Sequence, residues 1–126
     1  MAPDQTRHLD ALRRAMRCRD GDERADIYIA AMSAGLEAAV PWLVVDAAGE
    51  DRVALAMFMR AFPRPAWLPV LAGWQGDGDE QVRAAAVAAM AFQSPTDDVA
   101  AIFDAALRDM AAVVRLRAVR AMGDNG

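Results

Sequence analysis

Lysine is absent from this 126-residue chain, and side chains suited to catalysis are scarce: one His, one Cys, one Tyr, two Ser and two Thr. A catalytic site needs a nucleophile, a base and an orienting group that converge. His8 and Cys18 sit ten residues apart on one expected helix, about 15 Å along its axis and roughly 80° around it, so they cannot meet there. No catalytic residue and no enzymatic activity is expected. A single cysteine excludes an internal disulfide and suits a reducing compartment. No apolar run approaches the ~18 residues of a membrane span. The opening Met1-Ala2-Pro3-Asp4 stretch lacks the apolar core of a secretion signal, so a cytoplasmic protein is expected.

β-Branched residues are sparse and never alternate with polar ones, which leaves strands almost without support. Alanine fills the space, with 30 residues, and this explains how a chain 56% hydrophobic has a mean hydropathy of only +0.08. Alanine loses no side-chain entropy in a helix and lets helices approach closely. The expected class is all-α, in a single domain spanning residues 1–126. The net charge of −4 opposes a polyanionic partner, so nucleic acid is not expected.

A repeat organises the chain. Val82, Arg83, Ala86, Val87, Ala89 and Met90 recur 32 residues later as Val114, Arg115, Ala118, Val119, Ala121 and Met122, six matches in nine positions. A looser copy starts at Asp51-Arg52-Val53 and a fainter one at Asp22-Glu23-Arg24. Between these helices falls a second type. Val99, Ile102, Phe103, Ala106, Leu107 and Met110 form a stripe of helical period, and segments 37–48 and 66–74 occupy equivalent places. Pro63 and Pro65 break one helix, Ser94-Pro95-Thr96-Asp97 supplies a turn and N-cap, and Gly49, Gly76 and Gly78 mark turns between units. The expected plan is a capping helix over about 6–19, with Leu9, Leu12, Ala15 and Met16 on its apolar face. Units follow at about 22–50, 51–78 and 79–108, then a partial unit at 109–122. Two helices per unit of this length suit stacked hairpins.

The helix bearing Val82-Arg83, Ala85, Ala86 and Ala89-Met90 resembles the acidic-x-x-Val-Arg-x-x-Ala-x-x-Ala-Leu helix of short HEAT-like repeats, the subtype also found in phycobilin lyases. Val40-Pro41-Trp42-Leu43 resembles the Ala-Val-Pro-x-Leu opening of the other helix of that subtype. The likeness is good over 79–122, fair over 36–78 and weak before that. It implies a short right-handed α-solenoid of HEAT-like hairpins behind the capping helix. It also implies that Arg83 and Arg115 pair with acids of neighbouring inter-repeat turns, a structural ladder from which Arg52 and Arg24 depart in register.

Stacking would align the turn acids Asp20, Asp22, Glu23, Glu50, Asp51, Asp77, Asp79, Glu80 and Asp109 along one edge. Solubility and compensation of helix dipoles account for such acids; an edge that recognises a basic protein surface is the functional alternative. Asp77-Gly78-Asp79 resembles the start of a calcium loop, but the twelfth position from Asp77 is Ala88 where an acid is needed. No metal or cofactor is expected. Trp42, Trp67 and Trp74 all fall on the second-type helix, which lines the concave face in HEAT arrays. They read either as packing between alanine-rich units or as interface anchors. Arginines gather early (Arg7 to Arg24) and late (Arg108, Arg115, Arg117, Arg120), as solvated helix faces. A nucleic-acid role would require those patches to join along a groove. In helix 111–122 the apolar residues, with Val113, Leu116 and Val119 among them, surround the axis, so a covering partner or a homodimer through this helix is expected.

The expected function is a non-catalytic protein–protein interaction module, an adaptor or scaffold. It would bind through the second-helix face (Trp42, Trp67, Trp74) or the acidic edge (Glu50, Asp51, Asp77, Asp79, Glu80). The alternatives are a small inhibitor or immunity-type protein, phage-borne ones included, that blocks a larger assembly, and a bilin lyase-like small-molecule protein implied by the repeat subtype.

Overall fold

The computed structural model describes residues 10, 14, 44, 47 and 49–125. The expected capping helix, the first unit up to residue 48 and Trp42 lie outside the described residues, except that Asp10, Arg14 and Val44 are helical and Ala47 is buried. The chain divides into two compact units, Met1–Ala54 and Leu55–Gly126. All regular structure among the described residues is helical. From residue 50 onward the described residues form five α-helices, α1 (Glu50–Ala61), α2 (Leu68–Trp74), α3 (Glu80–Ala89), α4 (Asp97–Ala106) and α5 (Ala112–Asn125), with 3-10 turns at Pro65–Trp67 and Met90–Phe92.

In the first unit, Gly49 has φ of +48°, a conformation a Cβ would strain. Its carbonyl accepts from the amides of Arg52 and Val53 as α1 begins, at 3.1 and 3.2 Å. The Arg52 side chain donates back to the Ala47 carbonyl at 2.9 Å.

In the second unit, α1 runs out before Pro63, and the Trp67 indole donates to the Phe62 carbonyl at 2.9 Å, which satisfies an acceptor the ended helix leaves behind. Arg64 is extended ahead of Pro65, as the proline ring requires. The N-cap of α3 is Asp79, whose carboxylate accepts from the Gln81 amide at 2.8 Å. At α4 the cap is Thr96, accepting from the Val99 amide at 3.2 Å. Both caps fill one of the open N–H positions of a first turn.

α3 is central to this unit. It packs against α2 and α4 and most extensively against α5. Val82, Ala86, Val87, Ala89 and Met90 are fully buried, as are Val114 and Ala118 of α5. Each buried Val or Met contributes roughly 1.5–3 kcal/mol, and the alanines let the two backbones come close.

Two details depart from the sequence reading. The stripe expected to continue to Met110 ends earlier. Val99, Phe103 and Ala106 are buried, but α4 stops at Ala106 and Met110 lies in the following turn, 94% exposed. Conversely, α5 runs on through Gly123 to Asn125. Asn125 explains the extension, because its side-chain amide donates to the carbonyls of Gln93, Ala91 and Met90 at 2.8, 3.1 and 3.4 Å. Gln93, itself buried, donates onward to the Arg64 carbonyl at 2.9 Å.

Candidate functional site

The acidic turns are built from local bonds. Asp77 accepts from the Asp79 amide at 2.9 Å, and Asp109, 32 residues on, accepts from the Ala111 amide at 2.8 Å. The arginines follow the same spacing. Arg83 donates to the Asp77 carbonyl at 2.8 Å and Arg115 to the Asp109 carbonyl at 2.7 Å, each reaching back six residues. Arg83 also grips the Asp109 carboxylate with two nitrogens, at 2.9 and 3.1 Å. This bidentate bond from Arg83 holds the Asp109 carboxyl below the usual carboxylate range, helped by the Ala111 amide and opposed by partial burial. Asp79 and Glu80 stand exposed beside this network, whereas Asp51 and Asp77 are half-buried. Glu50 opens α1. Among the described residues no cluster of His, Cys, Asp and Glu could hold a metal ion, and no helix is long and apolar enough to cross a membrane.

Trp67 and Trp74 are interior residues, 3% and 7% exposed. They present a partner with almost no surface. Trp42 lies outside the described residues.

The apolar side chains of α5 divide by face, and the division matches the repeat. Positions buried in both helices are Val82 and Val114, Ala86 and Ala118, and Ala89 and Ala121. At three other positions the helices differ. Ala84 and Val87 of α3 and Met90 just past its end are buried, while their counterparts Leu116, Val119 and Met122 are 51%, 59% and 38% exposed. Val113 is half-buried at the head of this stripe. On α5, then, the register that is buried along α3 stands open from Leu116 to Met122, a little under two turns.

A second open surface was not evident from the sequence. Arg60 of α1 and Arg117 and Arg120 of α5 line one cleft of about 150 Å³, together with Ala88 of α3, the neighbouring Ala91, and Ala121 and Asp124 of α5. The Arg60 guanidinium lies 5.5 Å from the centre of the Phe92 ring. A sequence signal did exist. Arg117 and Arg120 take the repeat positions of Ala85 and Ala88, so the central helix is small where its neighbour is long and charged. Arg60, more than fifty residues upstream, could not be brought to them by periodicity alone.

No protein-family model, curated protein or solved structure matches the chain.

Proposed function

We propose that this chain is a non-catalytic protein-binding module built as a short HEAT-like α-solenoid, and that its partner docks on the open face of α5. The observation that carries this reading is the register of exposure: Leu116, Val119 and Met122 stand in the positions that Ala84, Val87 and Met90 occupy under cover in and just after α3. An apolar stripe in that register suits a helix laid alongside α5, as helices lie alongside α3. Helix-in-groove recognition reads such i, i+3 anchors. The recurrence of the arginine-to-turn bonds at Arg83 and Arg115 supports stacked repeats of one design. The poverty in nucleophiles supports a role in binding and not in catalysis.

The exposed turn residues Asp79 and Glu80 would steer a basic partner, since exposed charge raises encounter rates more than affinity. A second copy of the chain could equally occupy the open face, with Val113, Leu116 and Val119 at a two-fold contact.

The test is capture of a stoichiometric protein partner by the tagged chain, compared with the Leu116→Asp/Val119→Asp variant. Loss of capture with helix content unchanged supports the reading. Capture that survives the double substitution removes the α5 face from it. Sedimentation of both proteins at high micromolar concentration identifies self-association, which the variant should abolish if the second copy is the partner.

A further inference from the structure

We propose that the cleft walled by Arg60, Arg117 and Arg120 is a carboxylate-binding site that takes an acidic segment of a protein partner. The proposal rests on reading the chain as a protein-binding module, but it uses the arginines that border the apolar stripe of α5 and not the stripe itself.

Three observations carry it. First, three guanidinium-bearing residues from two helices far apart in sequence line one concave space, and the helix between them contributes only Ala88 and the adjoining Ala91 to the wall. Side chains of that size leave room for a ligand group where a longer residue would fill it. Second, Arg117 and Arg120 have no hydrogen-bond or ion-pair partner among the described residues, even though Asp124 lies on the same cleft. Elsewhere in this unit Arg83 and Arg115 donate to turn oxygens. Third, Arg60 is stacked 5.5 Å from the Phe92 ring centre. Stacking on an aromatic face limits the freedom of a guanidinium while leaving its N–H edge available.

Unpaired, partly ordered guanidinium groups around a small recess suit planar carboxylates, which accept two parallel N–H bonds from each. The half-exposed Phe92 ring beside them offers contact to an apolar residue next to the acid. A nucleic-acid backbone fits less well. Strong phosphate-backbone binding typically draws on six to ten cationic contacts, whereas this cleft has three arginines and one acid in its lining. The net charge of −4 further opposes a long polyanion, but a short acidic segment meets mainly the local field.

The probes are fluorescein-labelled hexaglutamate, hexaglutamine and a six-nucleotide oligothymidylate, followed by fluorescence anisotropy at low and at physiological salt. Hexaglutamate should bind and hexaglutamine should not. The Arg117→Gln/Arg120→Gln variant should weaken hexaglutamate binding by about tenfold or more, with helix content and melting temperature unchanged. Ala88→Glu, which sets the chain's own carboxylate into the recess, should weaken it similarly. Failure of hexaglutamate to bind the folded wild type at low salt overturns the proposal, and so does equal binding by both variants. Tighter binding of oligothymidylate, lost in the arginine variant, would reassign the cleft to phosphate. Leu116→Ser/Val119→Ser, which strips the apolar stripe without adding charge within a turn of Arg117 and Arg120, should leave hexaglutamate binding intact, so loss of partner capture in that variant and loss of peptide binding in the arginine variant report on separate claims.

Discussion

Arg83 clasps Asp109 across 26 residues with two hydrogen bonds, at 2.9 and 3.1 Å, and the same guanidinium donates to the Asp77 carbonyl at 2.8 Å. One side chain therefore ties the turn before α3 to the turn before α5. Asp109 in turn accepts from the Ala111 amide, which sets the entry to α5. Removing the carboxylate leaves a guanidinium without its acceptor and an amide uncapped. Asp109→Ala should lower the melting temperature by about 4–8 °C, the response of a small domain to the loss of one such interaction. Arg83→Ala should lower it by a similar amount, and the double variant by less than the sum, in a thermal double-mutant cycle. Additive losses would mean that the two residues act separately.

The same pair gives the fold an acid-sensitive contribution. The Arg83 bond depresses the folded-state pKa of Asp109 below its unfolded value. Such a group adds stability that is fully present above the unfolded pKa, about 3.9, and that is lost as pH falls through the depressed folded value. Asp109→Asn keeps the shape and removes the titration. The gap between wild-type and variant urea midpoints should be constant above about pH 5 and should narrow below about pH 4. A gap independent of pH would assign the effect to something other than this carboxylate.

The clasp also marks what could be read from sequence. The spacing from Val82-Arg83 to Val114-Arg115 located α3 and α5, and the Ser94-Pro95-Thr96-Asp97 stretch located the start of α4, because caps and apolar period are local properties. The end of α5 was not legible. Gly123 looks like a stop, and only the three carbonyls that Asn125 meets on a distant turn carry the helix past it. Met110 misled for the opposite reason, since its spacing fits the α4 stripe but the helix ends four residues before it. Sequence alone left Trp67 and Trp74 open to packing or to binding, because their burial, which the fold shows, is not a local property. The arginine cleft needed the tertiary fold, since it joins Arg60 to residues almost sixty positions away.

Asn125 makes a prediction of its own. Asn125→Ala removes three donor contacts that pin the last turn of α5 to the 3-10 turn after α3. The cost should be about 1 kcal/mol, concentrated in faster hydrogen exchange of the amides of residues 121–125. Exchange that rises equally throughout α3 and α5 would show a global loss in place of local fraying.

Trp67 separates packing from recognition. Its ring is buried and its indole N–H bonds the Phe62 carbonyl at the end of α1. Trp67→Phe should cost about 1–2 kcal/mol through the orphaned carbonyl, and Trp67→Ala about 3–5 kcal/mol through the cavity. Partner binding measured on the folded fraction should be unchanged by Trp67→Phe. Loss of binding with stability intact would return this residue to the interface.

Val87 and Val119 share a repeat position and differ in environment, the first fully buried and the second 59% exposed. Truncation should therefore have opposite consequences at the two sites. Val87→Ala removes methyl groups from the contact region of the central helix and should cost about 2 kcal/mol of stability, with binding per folded molecule unaffected. Val119→Ala removes the same atoms from open surface and should change stability by less than about 0.5 kcal/mol. If the open face of α5 is the docking surface, Val119→Ala should instead weaken the partner by about 1 kcal/mol or more, roughly a fivefold loss of affinity. Urea unfolding and titration calorimetry on the same two proteins decide it. A Val119→Ala variant with normal affinity would leave the exposed stripe without a function, whatever its register.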